Sequence, residues 1–270
     1  MLTQYSLTLA VQLCLHRSET TWIEPRPNPL EAEMRKRVFW ALLTIHVTLS
    51  GKLGQPMPLK WEDFDVEMPG EIDDDLLSET GLDKSRPGEC RHVAGLHAFK
   101  IVPLYIELYA TIYAVRRRPE AYVDTVKSLE ARLRTWKNEL PNGLRTAPAS
   151  SNREAQLFYI YAQAWASEFQ LLLRHPGVSM TNDAAFNAES LKICMESSRL
   201  LLSAARQMQG LKSLDTTWYN TAVYVGAITT TLFAHSIKRD LSYRDLVALE
   251  DDMAAWLSIM GDVGGLLGMS

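Results

Sequence analysis

Cys90, His92 and His97 stand close enough in the chain to raise the question of metal ligation, and the acidic pairs Asp74-Asp75 and Asp251-Asp252 raise that of magnesium chemistry. On a helix His92 and His97 point about 140° apart, so they do not share a metal as two histidines one turn apart do. Asp74-Asp75-Leu76-Leu77-Ser78 begins like an Asp-Asp-Leu-x-Ser-x-x-x-Glu magnesium motif, but Leu82 stands where the last oxygen ligand belongs. After Asp251-Asp252, Ala255 and Trp256 occupy the places where a further carboxylate is needed. Magnesium demands a nearly complete octahedron of oxygens, which neither run supplies, so both read as solvated acidic segments. The sequence has no Gly-rich phosphate loop, nucleophile elbow or His-Glu-x-x-His run. No metal site and no cofactor are expected in this chain.

What remains is an aromatic-rich apolar interior. Trp40, Tyr161, Trp165, Trp218 and Tyr219 are the residues expected to line a pocket for a small apolar metabolite or effector, because flat aromatic walls with a few polar tips suit such ligands. His46 and His235 lie in apolar surroundings and could supply those tips, or act as catalytic groups. The same residue types also build ordinary cores, and that alternative stands beside the pocket.

Composition narrows the field. The 270 residues are 47% hydrophobic and carry a formal charge of −4, with no cationic run denser than Arg116, Arg117 and Arg118. Phosphate contacts need a clustered positive surface, so direct nucleic-acid binding by this chain is not expected. Cys14, Cys90 and Cys194 are widely spaced and odd in number, which writes no disulfide framework. The first residues lack a basic leader and a small-residue cleavage site and are expected to form an amphipathic helix. Thr216 to Ser236 carries no formal charge and is long enough to span a bilayer, but Asn220, His235 and six threonines fit a helix buried on all sides. No membrane span is expected.

The elements that would hold these residues are helices. Apolar periodicity is helical throughout, giving an all-α multi-helix bundle of about seven to eight helices around a long acidic loop at 55–89. Asn28-Pro29 with Glu31 starts a helix on which Met34, Val38, Leu42, Ile45 and Leu49 share a face and Glu33 can pair with Arg37. A short helix is expected near 74–79, and another helix from about Arg91 to Arg117, kinked or broken near Pro103. Pro119 to Leu140 is the cleanest, with Tyr122, Val126, Leu129, Leu133, Trp136 and Leu140 forming a seam for an antiparallel neighbour or a homodimer partner. Further helices are expected over 152–175, 183–209, 215–238 and 242–260, and the last ten residues are too rich in glycine to prolong the last.

One stretch carries a recognisable pattern. Leu13-Cys14-Leu15-His16-Arg17 is followed, after a spacer, by Glu33, Arg35-Lys36-Arg37, Phe39-Trp40, Leu49-Ser50 and Leu53-Gly54-Gln55-Pro56, and closes with Glu62-Asp63-Phe64-Asp65-Val66-Glu67-Met68-Pro69. This resembles the fungal-specific transcription-factor domain, the middle homology region of binuclear zinc cluster regulators. His46 and Val47 stand where such domains commonly carry Asp-Arg, and Gln55 replaces an Arg, so a charged set has been rewritten together. The resemblance implies a single helical domain over 1–270 that corresponds to the C-terminal part of that region. It also implies a regulatory or ligand-sensing role in the nucleus, with zinc and DNA reading confined to an N-terminal module this chain does not contain. The alternative is a stand-alone cytoplasmic descendant acting in secondary metabolism as a cofactor-free cyclase or pericyclase, which would fold an apolar polyene in the aromatic pocket.

Overall fold

A computed structural model of the chain describes residues 2–21, 26–57, 59–148, 152–237 and 242–268. It divides into two compact units, Met1–Ala110 and Thr111–Ser270. The class is all-α: among the described residues the α-helices are joined by short 3-10 turns, and one antiparallel pair of two-residue strands sits in the acidic loop.

In the first unit α1 (Leu2–Gln12) lies against α2 (Pro29–Lys52), and α3 (Val93–Thr111) follows the loop that carries β1 (Leu77–Ser78) and β2 (Gly81–Leu82). Helix α2 starts where Asn28 Oδ1 accepts the Glu31 N–H at 2.8 Å and Pro29 fills the first position. Its inward face is Phe39, Trp40, Leu43 and Val47, whereas Met34, Val38 and Ile45 face outward. Two apolar rows run along this helix, and the row with the larger aromatic payload is the one buried. Gly51 is required by close packing: a Cβ there would stand 2.0 Å from the Tyr109 ring of α3. Helix α3 runs through Pro103 without interruption and ends at Thr111, short of the expected Arg117. Burial of Ile101, Val102, Leu104 and Leu108 around the proline outweighs its missing N–H. Among the described residues α3 alone is long and apolar enough to cross a membrane, yet more than half of that stretch is buried inside the protein, as in a core helix. The loop after α2 is ordered by backbone capping. Near 74–79, where a short helix was expected, it forms a 3-10 turn at Asp74–Leu76 and then β1. Asp73 accepts the N–H groups of Asp75 and Glu89, and Glu33 accepts that of Gly70.

The second unit contains α4 (Tyr122–Glu139), α5 (Asn142–Arg145), α6 (Arg153–Arg174), α7 (Ala184–Gly210), α8 (Trp218–Ser236) and α9 (Tyr243–Leu266). The whole expected seam of α4, Tyr122 to Leu140, is buried, and α4 packs on α6. Asn152, Asp183 and Ser242 cap α6, α7 and α9, the last through a reciprocal bond with Asp245. Helix α7 is central and touches α6, α8 and α9. Two expectations need correction. Helix α8 is buried on one side only: Tyr224, Ala227 and Ala234 face in, while Val225, Leu232 and Phe233 face out. Its threonines do bond back along the helix, Thr230 to Gly226 O at 2.7 Å and Thr231 to Ala227 O at 2.9 Å, which satisfies their hydroxyls without complete burial. Helix α9 continues to Leu266 despite its glycines, because Trp256, Ile259 and Val263 are buried in one cluster with Tyr224 and Leu201.

Candidate functional site

Trp40 is almost wholly buried in the first unit, where its Nε1–H donates to Glu67 O at 3.0 Å and its ring meets Phe64 edge-on at 5.8 Å. That contact seats the 61–69 segment on α2, and the 13–18 turn clasps the same segment from another side. Arg17 donates to both oxygens of Asp65 at 3.0 and 3.1 Å, the Ser18 N–H donates to Asp65 at 2.8 Å, and the Ser18 hydroxyl donates to Glu67. Lys36 lies between Glu19 and Glu67 at 3.4 and 3.8 Å. The Ser18 N–H and the Arg17 guanidinium hold the Asp65 carboxyl below the usual carboxylate range. Glu33 and Arg37 pair at 2.9 Å, and Arg37 reaches on to Asp74. The motif residues Arg17, Trp40, Asp65 and Glu67 are thus joined through the 61–69 segment and Ser18, and Glu33 with Arg37 forms a second set that reaches Gly70 and Asp74.

His46 is buried one turn before Ser50, with Nε2 and the Ser50 Oγ 2.9 Å apart and Nδ1 left without a partner. Burial lowers its pKa and keeps the ring neutral. Val47 beside it is a fully enclosed core residue, and Gln55 is exposed, its backbone N–H closing the helix end on Ser50 O at 2.8 Å. The positions where the charged pair would stand are therefore occupied by core side chains that need no counter-charge. In the second unit His235 is buried and its Nδ1–H donates to Thr231 O at 2.8 Å. Tyr161 and Trp165 are half-buried and stacked on α6 at 6.1 Å. The side chains of Trp218 and Tyr219 lie outside the described residues. Tyr161 and Trp165 are thus brought together, whereas Trp40 and His46 belong to the first unit.

Among the described residues no group of three or more His, Cys, Asp and Glu side chains is placed to hold a metal ion. Burial pushes the Cys90 thiol up, and pushes that of Cys194 to about 12, which keeps it protonated at neutral pH.

A groove of about 610 Å³ lies in the second unit, between α7 and the end of α8. Leu191, Met195 and Ala234 give it an apolar floor, and Lys192, Glu196 and Arg199 stand along its rim. Of the residues expected from sequence whose side chains are described, His235 adjoins it, through its neighbour Ala234. The signal that could have located it is the pairing of two rows on α7: Leu191 and Met195 one turn apart, beside Lys192, Glu196 and Arg199. A smaller cavity of about 330 Å³ lies between Tyr159 and Ile160 of α6 and Gln207 and Gly210 of α7.

A family model described as the fungal specific transcription factor domain matches residues 3–138. The transcriptional activator protein acu-15 of Neurospora crassa is 32% identical over 51% of this chain and 15% of its own length. The activator of stress genes protein 1 of Candida albicans is 22% identical over 80% of this chain and 25% of its own length. The pyrrolocin cluster transcription factor fsdR of a fungal species is 22% identical over 76% of this chain and 27% of its own length. The chain thus spans well under a third of each of these curated relatives. No solved structure matches.

Proposed function

Because the chain belongs to the family of the fungal specific transcription factor domain, we propose that it is an effector-sensing regulatory module of a nuclear transcription regulator and does not itself read DNA. The groove between α7 and α8 carries this reading: about 610 Å³ lies within the range of about 300–1,000 Å³ found for small-molecule pockets, and its floor is apolar. The net charge of −4 supports the second half of the proposal, since DNA contacts require concentrated positive charge. The rewritten His46-Val47 pair serves the fold of the first unit in this reading, and the sensing surface lies elsewhere.

The role is tested by tethering the chain to a reporter promoter through an unrelated DNA-binding module. Ala188 is exposed at the groove mouth, so Ala188→Trp fills the groove at little cost to the core. Reporter output is expected to change with this substitution at equal protein level. Output that is the same with and without it removes the sensing role from this groove, and tight sequence-specific DNA binding by the untethered chain overturns the other half.

A further inference from the structure

The rim of the α7/α8 groove is not electrically balanced. Lys192 is 3.9 Å from Glu189, its near neighbour on the same helix. Glu196 acts on Lys137 of α4, whose ammonium is otherwise destabilised by burial. Arg199, two turns along from Lys192 on the same rim, makes no hydrogen bond or ion pair among the described residues. Among the described residues that line the groove, Lys192 and Arg199 are positive and Glu196 is negative, which leaves one positive charge over, and the one without a partner is a guanidinium. A planar guanidinium presents two parallel donors, the arrangement that matches a carboxylate. Behind it Leu191, Met195 and Ala234 offer an apolar trough on which a hydrocarbon body would lose contact with water.

Building on the sensing role proposed above, we infer that the groove takes an amphipathic monoanion, an apolar chain ending in a carboxylate, with the carboxylate on Arg199 and the chain along Leu191 and Met195. The anion supplies the charge the rim lacks, and the chain covers the floor. A neutral ligand of the same body would leave Arg199 without a partner, and a dianion would meet Glu196.

The inference is tested with decanoate and its uncharged methyl ester, titrated below their aggregation concentrations into the whole chain and followed by calorimetry. Decanoate is expected to bind saturably and about ten-fold or more tightly than the ester. Arg199→Ala, an exposed change that leaves the core untouched, is expected to bring decanoate down to the level of the ester. Ala188→Trp is expected to weaken both. If decanoate and ester bind alike and Arg199→Ala changes neither, the charge inference is overturned while a sensing groove stands. If neither probe binds saturably, both the inference and the sensing role of this groove are overturned.

Discussion

His46 and Arg174 show two ways in which this chain keeps a polar side chain inside. His46 is enclosed as a neutral ring, so its pKa in the fold lies below the ordinary 6.5. The unfolded chain therefore binds a proton more readily than the folded one as the pH drops. The stabilisation linked to this histidine is complete above about pH 6.5 and is lost as pH falls from there through the lowered folded value. His46→Gln can keep a bond to Ser50 without titrating, so its unfolding midpoint in urea should fall less than that of the parent between pH 6.5 and 5. A parallel fall for both would show that His46 is not a source of the acid slope. His16 and His175 are also lowered by burial and contribute to the slope that remains, together with the carboxyls of Asp65 and Glu67, which are lowered too. Arg174 is only 8% exposed and is held as a charge: Nε and Nη2 donate to the two Glu130 oxygens at 2.7 and 2.6 Å, and Nη1 donates to Ser190 at 3.1 Å. Removing one partner strands the other, so Arg174→Met should cost about 3–5 kcal/mol in denaturant unfolding, while the double change with Glu130→Met should recover most of that. The Glu33–Arg37 pair was legible in the sequence because its members lie one turn apart. Glu130 and Arg174 sit on different helices, and no local spacing announces them.

Helix α9 shows where local propensity and tertiary burial part company. Propensity alone stops it near Met260, because Gly261, Gly264 and Gly265 follow closely. The helix persists because Val263, two turns beyond Trp256, continues the buried face of Trp256 and Ile259. At Gly261 and Gly265 a Cβ would meet nothing within 4 Å, and the backbone there is ordinary right-handed helix. Gly261→Ala and Gly265→Ala should therefore each stabilise the protein by about 0.5–1 kcal/mol, seen as an upward shift in melting temperature. Destabilisation by both would show that the helix does not hold this last stretch. The same contrast explains what could be read elsewhere. Helices α4, α6 and α7 were legible in position because a single apolar row defines each of them; Asn152 and Asp183 cap α6 and α7, whereas α4 follows a 3-10 turn with no capping side chain. The inward face of α2 was not, because two apolar rows compete and only packing against Phe64 and Phe99 selects the row with Trp40. The groove was not legible as a site either, since its walls come from residues some forty positions apart and its floor residues read as ordinary helix interior.

The two compact units meet in sequence between Ala110 and Thr111, at the end of α3, and a short segment follows. On the side of the second unit the segment is anchored at Tyr113, whose hydroxyl donates to Leu172 O at 2.9 Å and whose phenol is pushed up by burial. From Val115 to Glu120 every residue is exposed, Val115 completely at 101%, and no helix begins until Tyr122 apart from one 3-10 turn at Pro119–Ala121. Arg116, Arg117 and Arg118 fall in this stretch, so a protease that cuts after basic residues meets a solvated backbone there. The acidic loop of the first unit also offers basic sites, but its backbone is restrained: Arg86 donates to Asp75 O at 2.7 Å and lies 3.4 Å from Asp83, and Asp73 caps the chain on both sides of it. Trypsin at low ratio should therefore cut first after Arg116 or Arg117, while the bond after Arg118 is protected by Pro119. It should release two fragments that match the two units and survive longer than the parent chain. The double change Arg116→Gln with Arg117→Gln should delay that first cut several-fold and shift it to the 55–89 loop, whereas Lys84→Gln should leave it where it was. First cleavage at Lys84 in the parent chain would mean instead that the loop, and not the junction, is the least protected segment of the molecule, because the hydrogen bonds from Asp73 and Arg86 would then be too weak to hold its backbone closed.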